Sequence, residues 1–182
     1  MKVLLINGSL SERGALSALL EEAAEELKKA GLETELFWPV KTKSLMCSGC
    51  GACKGAGMCV ADPRGREFVA AAAGCDGFLF AAPSGLLGID VDMKNFLERI
   101  VSLTQRRETH ALKGKSAAAL VLCRAGGKKA AAQTDELLRR IGLRLPEGTE
   151  TPVLRPKDPQ REESLHRICA ALAASLRTET AE

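Results

Sequence analysis

The chain has 182 residues, of which 46% are hydrophobic and 27% are charged, so we expect residues 1–182 to form a single domain with a substantial core. The formal net charge of +3 is small and the basic residues are scattered, which argues against a nucleic-acid-binding protein. No apolar stretch has the length of a membrane span, and the first apolar run, residues 3–6, is too short for a signal peptide. We therefore expect a cytoplasmic protein with no membrane partner.

Short apolar runs alternate with amphipathic stretches along the whole sequence. In chain order the predicted elements are a strand at 2–6, a helix at 15–30, a strand at 33–38, a helix at 66–73, a strand at 77–82, a helix at 92–104, a strand at 116–123, a helix ending near Gly142, a strand at 151–154 and a last helix with apolar positions at Leu165, Ile168, Cys169, Leu172 and Leu176. Repeated strand–helix alternation predicts a doubly wound α/β sandwich.

Three loops follow strands at the edge where such sheets bind ligands, which is beyond the carboxyl ends of the strands. The first, residues 7–14, joins a buried strand to a helix N-terminus, where free N–H groups and the helix dipole favour an anion such as phosphate. Its candidate phosphate ligands are Ser9, Ser11 and Arg13. The loops after the third and fourth strands offer backbone groups and apolar side chains to a flat ring, at Pro83, Ser84, Gly85, Leu86, Leu87 and Gly88, and at Arg124, Gly126 and Gly127.

Four cysteines, Cys47, Cys50, Cys53 and Cys59, lie in the loop of about residues 44–62 after the second strand. Two-residue spacings with a fourth cysteine nearby are typical of a [4Fe–4S] cluster, and the interspersed glycines let the loop turn sharply. Zinc or empty thiols remain alternatives, although structural zinc usually takes its cysteines from two separated pairs. We expect the other three cysteines, Cys75, Cys123 and Cys169, to be small buried hydrophobes.

These motifs resemble those of the flavodoxin-like NADPH-dependent FMN reductases, and within them the iron–sulfur flavoproteins. The opening loop Gly8-Ser9-Leu10-Ser11 is similar to the GSPR-type loop of that family, and the four cysteines followed by Asp62 resemble its cluster motif. Residues 76–83 (DGFLFAAP) and 93–99 (MKNFLER) are similar to its "D-G-hydrophobic…S-P" and "M-K-x-F-x-D-R" patterns. Two positions depart from the family pattern, because Ala15-Leu16 replace an Asn-Thr pair and Gly85 replaces an aromatic residue.

The resemblance implies a flavodoxin-like three-layer α/β sandwich with a five-stranded parallel sheet of order 2-1-3-4-5 and helices on both faces. It further implies FMN, with its phosphate on the first loop and its isoalloxazine ring between the third-strand and fourth-strand loops. A homodimer or homotetramer is also implied, as is a small-molecule or protein electron donor and acceptor, with NAD(P)H as one candidate donor.

The function that these features predict is an FMN-dependent oxidoreductase that transfers electrons between a reduced donor, FMN and a [4Fe–4S] cluster. No residue is assigned to proton transfer. Two alternatives stay open. One is a flavin-dependent NAD(P)H:quinone-type reductase whose cysteines are empty or hold zinc, and the other is a non-catalytic flavodoxin-like binding protein that has lost FMN.

Overall fold

The computed structural model describes residues 1–39, 47–56, 59–104, 112–124 and 127–179. In chain order the elements are β1 (Lys2–Asn7), α1 (Ala15–Lys29), β2 (Glu33–Phe37), α2 (Cys53–Ala56), α3 (Arg64–Ala73), β3 (Gly77–Pro83), α4 (Val91–Thr104), β4 (Ser116–Leu122), α5 (Lys128–Ile141), β5 (Val153–Leu154) and α6 (Arg161–Glu179). Each predicted strand and helix is present. The short helix α2, inside the cysteine segment, was not predicted. Within the described ranges, no helix combines the length and apolarity needed to cross a membrane.

The five strands form one parallel sheet in the order β2-β1-β3-β4-β5, which confirms the predicted flavodoxin-like architecture. The chain leaves β1 toward β2 and then returns to build β3 on the other side, so the strand order reverses between β1 and β3. Asn7, the last residue of β1, lies opposite Ala81 of β3, and the Gly8 N–H donates to the Ala81 carbonyl at 2.8 Å. The carboxyl edge at this pair is where a sheet of this order binds its ligand.

The edge strand β5 is shorter than the predicted strand at 151–154. Only Val153 and Leu154 pair with β4, opposite Val121 and Leu122. The Pro152 carbonyl accepts the Val121 N–H at 2.9 Å, but Pro152 has no N–H to donate in return, so regular pairing begins at Val153. The strand prediction was therefore two residues too long at its N-terminal end.

Side chains of the central strands alternate between two cores. In β1, Leu4 and Ile6 join the core beneath α3, α4 and α5, whereas Val3 and Leu5 join the core beneath α1 and α6. All five phenylalanines of the chain lie in or against the first core, with ring centroids 5.4–6.3 Å apart: Phe37, Phe68, Phe78, Phe80 and Phe96. The residues of this aromatic cluster come from β2, β3, α3 and α4. The cluster supports α3 and α4, the two helices that lie beside the cysteine segment in space.

The three cysteines outside that segment are buried, as expected of small hydrophobes. Cys75, Cys123 and Cys169 expose 2%, 4% and 2% of their surface. Burial raises the pKa of the Cys75 thiol, and it raises the pKa of Cys169 to about 12. These two side chains therefore stay protonated at neutral pH and contribute to packing rather than to thiolate chemistry.

Candidate functional site

The loop after β1 is fastened by two buried polar side chains, Asn7 and Ser17. The Asn7 side-chain amide donates to Ser17 Oγ at 3.0 Å, and Ser17 Oγ donates to the Ser11 carbonyl at 2.8 Å. The Ser9 N–H in turn donates to Asn7 Oδ1 at 2.9 Å. Sequence analysis missed Asn7 and Ser17 as site residues. The available signal was an amide side chain closing an otherwise apolar strand.

The N-terminus of α1 presents its first N–H groups toward this loop. Gly14 is the N-cap in an extended conformation, and no side chain within the described ranges caps this end. Uncapped N–H groups and the helix dipole together favour an anion. Ser11 and Arg13 are exposed beside this end, and Ser9 is half-buried. The three predicted phosphate ligands therefore lie on one turn at the sheet edge, and the donor set fits a phosphate.

The departure from the family pattern at Ala15-Leu16 affects the surface at one position only. Leu16 is 3% exposed and packs in the core beneath α1 and α6. Ala15 is exposed at the start of the helix. The departure therefore removes a polar side chain from the surface at residue 15, while the backbone donors of the turn remain.

Trp38, directly after β2, ties a third segment to the same loop. Its indole Nε1–H donates to the Ser9 carbonyl. This contact joins the end of β2 to the loop after β1, although 29 residues separate the two in sequence. Sequence analysis assigned Trp38 to a strand and gave it no role in the site.

The loop after β3 closes on itself as a small turn. Ser84 and Ile89 form an antiparallel bridge, and the Gly85 N–H donates to the Gly88 carbonyl at 2.7 Å. The Ser84 N–H donates to the Leu122 carbonyl of β4 at 3.0 Å. The N–H groups of Ser84 and Gly85 are thus satisfied within the protein. What this loop presents to a ligand is mainly its apolar tip.

That tip consists of Leu86 and Leu87, which expose 96% and 75% of their surface. The base of the loop is held from α5, since the Gln133 side-chain carbonyl accepts the Ile89 N–H at 3.0 Å. Two large apolar side chains exposed on a fastened loop at the carboxyl edge fit contact with a flat ring or with another protein surface. Gln133 is a further residue that sequence analysis missed.

In the loop after β4, Gly127 packs closely against its neighbours. A Cβ atom there would lie 2.5 Å from Val153 Cγ1 and 2.9 Å from Cys123 Sγ, so glycine is required by packing against β5 and the end of β4. Arg124 is exposed, and Gly126 lies outside the described residues.

The cysteine segment contains two turns that require glycine. Gly49 and Gly51 have φ angles of +69° and +71°, in the left-handed region that other residues rarely adopt. Cys47 and Cys50 are exposed, Cys53 and Cys59 are half-buried, and all four thiols are free.

The four thiols do not converge in the structure. In the described ranges, which include all four cysteines, no group of three or more histidine, cysteine, aspartate or glutamate side chains is placed to hold a metal ion. Four free thiols on one short segment nevertheless match a cluster in kind and number of donors. The assignment of these cysteines as metal ligands therefore stays a prediction.

The cysteine segment is fastened to the domain through Asp62. Both oxygens of this carboxylate accept hydrogen bonds from Arg64, from Nε at 2.8 Å and from Nη2 at 2.7 Å, and Arg99 Nη1 lies 2.5 Å from Oδ2. Arg64 also donates to the Pro39 carbonyl, after β2, at 3.1 Å. Burial, the largest effect, would raise the pKa of Asp62, but the hydrogen bonds and charge of Arg64 and the charge of Arg99 together lower it below 3.8. Asp62 is therefore ionised at neutral pH.

Arg99 extends this network to the cysteines. Its side chain is 10% exposed, and Nη1 donates to Cys59 Sγ at 3.6 Å. A cavity of about 480 Å³ is lined by both Arg99 and Cys47, so the first cysteine of the motif faces the same cavity as Arg99. Sequence analysis noted the segment containing Arg99 but gave the residue no role. The available signal was a charged residue inside the buried stripe of α4.

The chain is similar in sequence to known proteins. Residues 1–150 match the NADPH-dependent FMN reductase family. The iron–sulfur flavoprotein of Archaeoglobus fulgidus is 30% identical over 145 residues, which are 79% of this chain and 64% of that protein. The iron–sulfur flavoprotein of Methanosarcina thermophila is 31% identical over 136 residues, which are 74% of this chain and 70% of that protein.

Solved structures share the fold at low sequence identity. RosB, in a complex with 8-demethyl-8-formylriboflavin-5'-phosphate, has a TM-score of 0.78 at 17% identity and covers 100% of this chain and 81% of its own. An archaeal flavodoxin has a TM-score of 0.65 at 12% identity and covers 97% of this chain and 99% of its own.

Sheet order and solved structures together define a flavodoxin-like fold. The chain belongs to the NADPH-dependent FMN reductase family, in its iron–sulfur flavoprotein branch. The family resemblance seen in the sequence is thereby confirmed.

Proposed function

We propose that this protein is an FMN-dependent oxidoreductase that moves electrons between a reduced donor, FMN and a [4Fe–4S] cluster on Cys47, Cys50, Cys53 and Cys59. One observation carries the proposal. The cysteine segment is tied by Arg64 to the end of β2, at the same sheet edge as the loops after β1 and β3. Family membership supports the flavin, and the name that the curated relatives bear supports the cluster.

The flavin contacts of this proposal lie in the loops after β1, β3 and β4. Bound FMN would supply two-electron chemistry with a reduced donor and one-electron chemistry with an acceptor. Ser9, Ser11 and Arg13, with the first N–H groups of α1, bind the phosphate. The exposed side chains of Leu86 and Leu87 cover the ring and exclude water from it, and the remaining ring contacts come from Pro83, Ser84, Gly85, Gly88, Arg124, Gly126 and Gly127.

The cysteine segment would supply four thiolate ligands to the cluster, whose chemistry is the transfer of single electrons. Gly49 and Gly51 give the segment the sharp turns that gathering four sulfurs requires. The network of Asp62 with Arg64 and Arg99 fastens the C-terminal end of the segment, so that closure needs movement mainly of the exposed N-terminal end, at Cys47 and Cys50.

A second candidate function is a flavin-dependent NAD(P)H:quinone-type reductase whose cysteines are empty or hold zinc. The observation that favours it is the spread of the four thiols in the described structure. This candidate shares the flavin site with the first. It differs in having no iron and no cluster to which the flavin passes electrons.

The proposal is tested by anaerobic purification followed by analysis of iron, sulfide, zinc and flavin. We expect about one FMN, about four irons and about four sulfides per chain. A Cys50→Ala variant should lose iron, whereas Cys169→Ala, a change at a buried core cysteine, should keep it. Flavin without iron would support the second candidate, and a protein that takes up neither FMN nor iron on reconstitution would refute both.

The donor and the assembly are also part of the proposal. The donor would be NAD(P)H or a reduced protein, and the family resemblance implies a homodimer or homotetramer. The exposed leucines at the tip of the β3 loop suit either flavin cover or subunit contact. Light scattering on the flavin-loaded protein would measure the number of copies, and a monomer would refute this part of the proposal.

A further inference from the structure

Arg99 brings a positive charge close to the cysteine segment. Its buried partner, the carboxylate of Asp62, neutralises only part of that charge. Asp62 carries one negative charge and contacts two guanidinium groups. Arg64 occupies both carboxylate oxygens, at 2.8 and 2.7 Å, and its own N–H donates to Oδ1 at 3.1 Å. Arg99 reaches only Oδ2. The charge of Arg99 is therefore partly uncompensated in a buried environment, where charges act more strongly than at the surface.

Arg99 also has hydrogen-bond donors that Asp62 does not fully use, and one of them contacts a cysteine. Nη1 donates to Cys59 Sγ at 3.6 Å, and within the described ranges the buried Nε atom has no hydrogen-bond partner. Glu98 and Arg140 also line the cavity that Arg99 shares with Cys47. Both are largely exposed, and they pair with Lys94 at 3.5 Å and with Glu136 at 2.7 Å, so their effect on the sulfurs is screened by solvent.

We propose that Arg99 donates a hydrogen bond to the Cys59 sulfur and raises the reduction potential of the cluster that Cys59 helps to bind. This inference rests on the proposed function. Reduction adds an electron to a centre that its thiolate ligands already make negative. Hydrogen bonds to the ligand sulfurs and a nearby buried positive charge stabilise the reduced state more than the oxidised one. Asp62 acts as a positioning residue that holds Arg99 in place.

The test is an anaerobic titration of the reconstituted protein with dithionite, with cluster reduction followed by electron paramagnetic resonance. In Arg99→Gln we expect the equilibrium constant for one-electron reduction to fall at least tenfold, which lowers the midpoint potential by about 59 mV. Asp62 keeps its hydrogen bonds from Arg64 in this variant, so the fold should survive. Arg66→Gln, the same change at an exposed arginine on α3, is the matched control and should leave the potential unchanged.

Iron and sulfide are measured on every sample, so that two kinds of failure are separated. A wild-type protein without iron would refute the proposed cluster and this inference with it. Iron-loaded wild type and Arg99→Gln with equal potentials would refute this inference alone. If Arg99→Gln loses iron, the iron content and reduction potential of Arg99→Lys are measured instead. Its ammonium cannot bridge Asp62 and Cys59 as a guanidinium does, so we expect full iron and a lowered potential, and a wild-type potential or loss of iron would refute the inference.

Discussion

At the scale of single residues, Gly8 lies where the loops after β1 and β3 meet. A Cβ atom at this position would lie 2.7 Å from the Ala81 carbonyl oxygen, 3.0 Å from Pro83 Cδ and 3.1 Å from Met93 Sδ. Two of these neighbours belong to the end of β3, which cannot shift without disturbing the sheet. The absence of a side chain therefore lets the two loops approach each other at the point where the strand order reverses.

We expect Gly8→Ala to weaken FMN binding at least tenfold and to lower the free energy of unfolding by about 1–3 kcal/mol, because the added methyl overpacks this contact. Flavin fluorescence quenching and urea unfolding measure the two effects. Gly74→Ala is the control, since a Cβ there meets nothing within 4 Å. Wild-type FMN affinity in Gly8→Ala would contradict the assigned role of this junction.

Asp62 predicts how stability depends on pH. Its pKa is lowered in the folded protein, so its contribution to stability is fully present above its ordinary pKa of 3.8 and is lost as the pH falls through the lower folded value. A neutral side chain at this position leaves the guanidinium groups of Arg64 and Arg99 without the negative charge that they both contact. We expect Asp62→Asn to lower the free energy of unfolding at pH 7 by about 3 kcal/mol.

Urea unfolding of both proteins, measured from pH 7 down to acid pH, checks this prediction. The difference between wild type and Asp62→Asn should narrow as the pH falls below 3.8, because the wild-type carboxylate then becomes protonated. A constant difference across the whole range would show that the charge of Asp62 is not the source of the effect.

Individual site residues could be predicted from the sequence where their spacing along the chain forms a recognisable motif. The four cysteines stand out because their separation along the chain is itself the motif. The partner of Cys59 does not stand out, because Arg99 lies 40 residues away and reaches the sulfur only through the packing of α4. Trp38 and Gln133 were missed for the same physical reason, since each bonds to a loop that is distant in sequence.

At the scale of elements, α3 and α4 rest on the aromatic cluster. Phe68 of α3 is fully buried, and its ring contacts those of Phe37, Phe78, Phe80 and Phe96. We expect Phe68→Ala to lower the free energy of unfolding by about 3–5 kcal/mol, because it leaves a cavity where four rings meet. Leu86→Ala, at a side chain that is 96% exposed, should change it by less than about 0.5 kcal/mol. Equal effects of the two changes would contradict this description of the core.

The turns of the cysteine segment give a second prediction at this scale. A Cβ at Gly51 or at Gly55 meets nothing within 4 Å, but only Gly51 has a positive φ angle, +71°. An alanine at residue 51 pays a conformational cost of about 1–2 kcal/mol that one at residue 55 does not. We expect a chelator to remove iron from Gly51→Ala at a concentration at least about fivefold lower than from wild type, and from Gly55→Ala at the wild-type concentration. Identical behaviour of the two variants would contradict the need for this turn.

Elements were predictable where one periodicity extended over many residues. β1 and β3 are continuous apolar runs because both of their faces are buried. The edge strand was predicted too long, since Pro152 accepts a hydrogen bond from β4 but has no N–H to donate to the ladder. The four-residue helix α2 has too few positions to show a helical period, so no sequence pattern could have predicted it.

At the scale of the whole molecule, the strand order explains why loops that are distant in sequence form one site. Strand–helix alternation predicted a doubly wound sheet, and the family resemblance supplied the order that the structure confirms. Because the strand order reverses between β1 and β3, the loops after these two strands are the expected ligand-binding loops. The four thiols do not converge in the part of the chain that the structure describes, so their assignment to a cluster stays a prediction.

The most direct test of the whole account counts the electrons that one chain accepts. The reconstituted protein is titrated anaerobically with dithionite, and flavin and cluster absorption are recorded. The account predicts about three electrons per wild-type chain, about two on FMN and about one on the cluster, and about two in Cys50→Ala. Uptake of only two electrons by wild type, with the same spectral changes as Cys50→Ala, would contradict it.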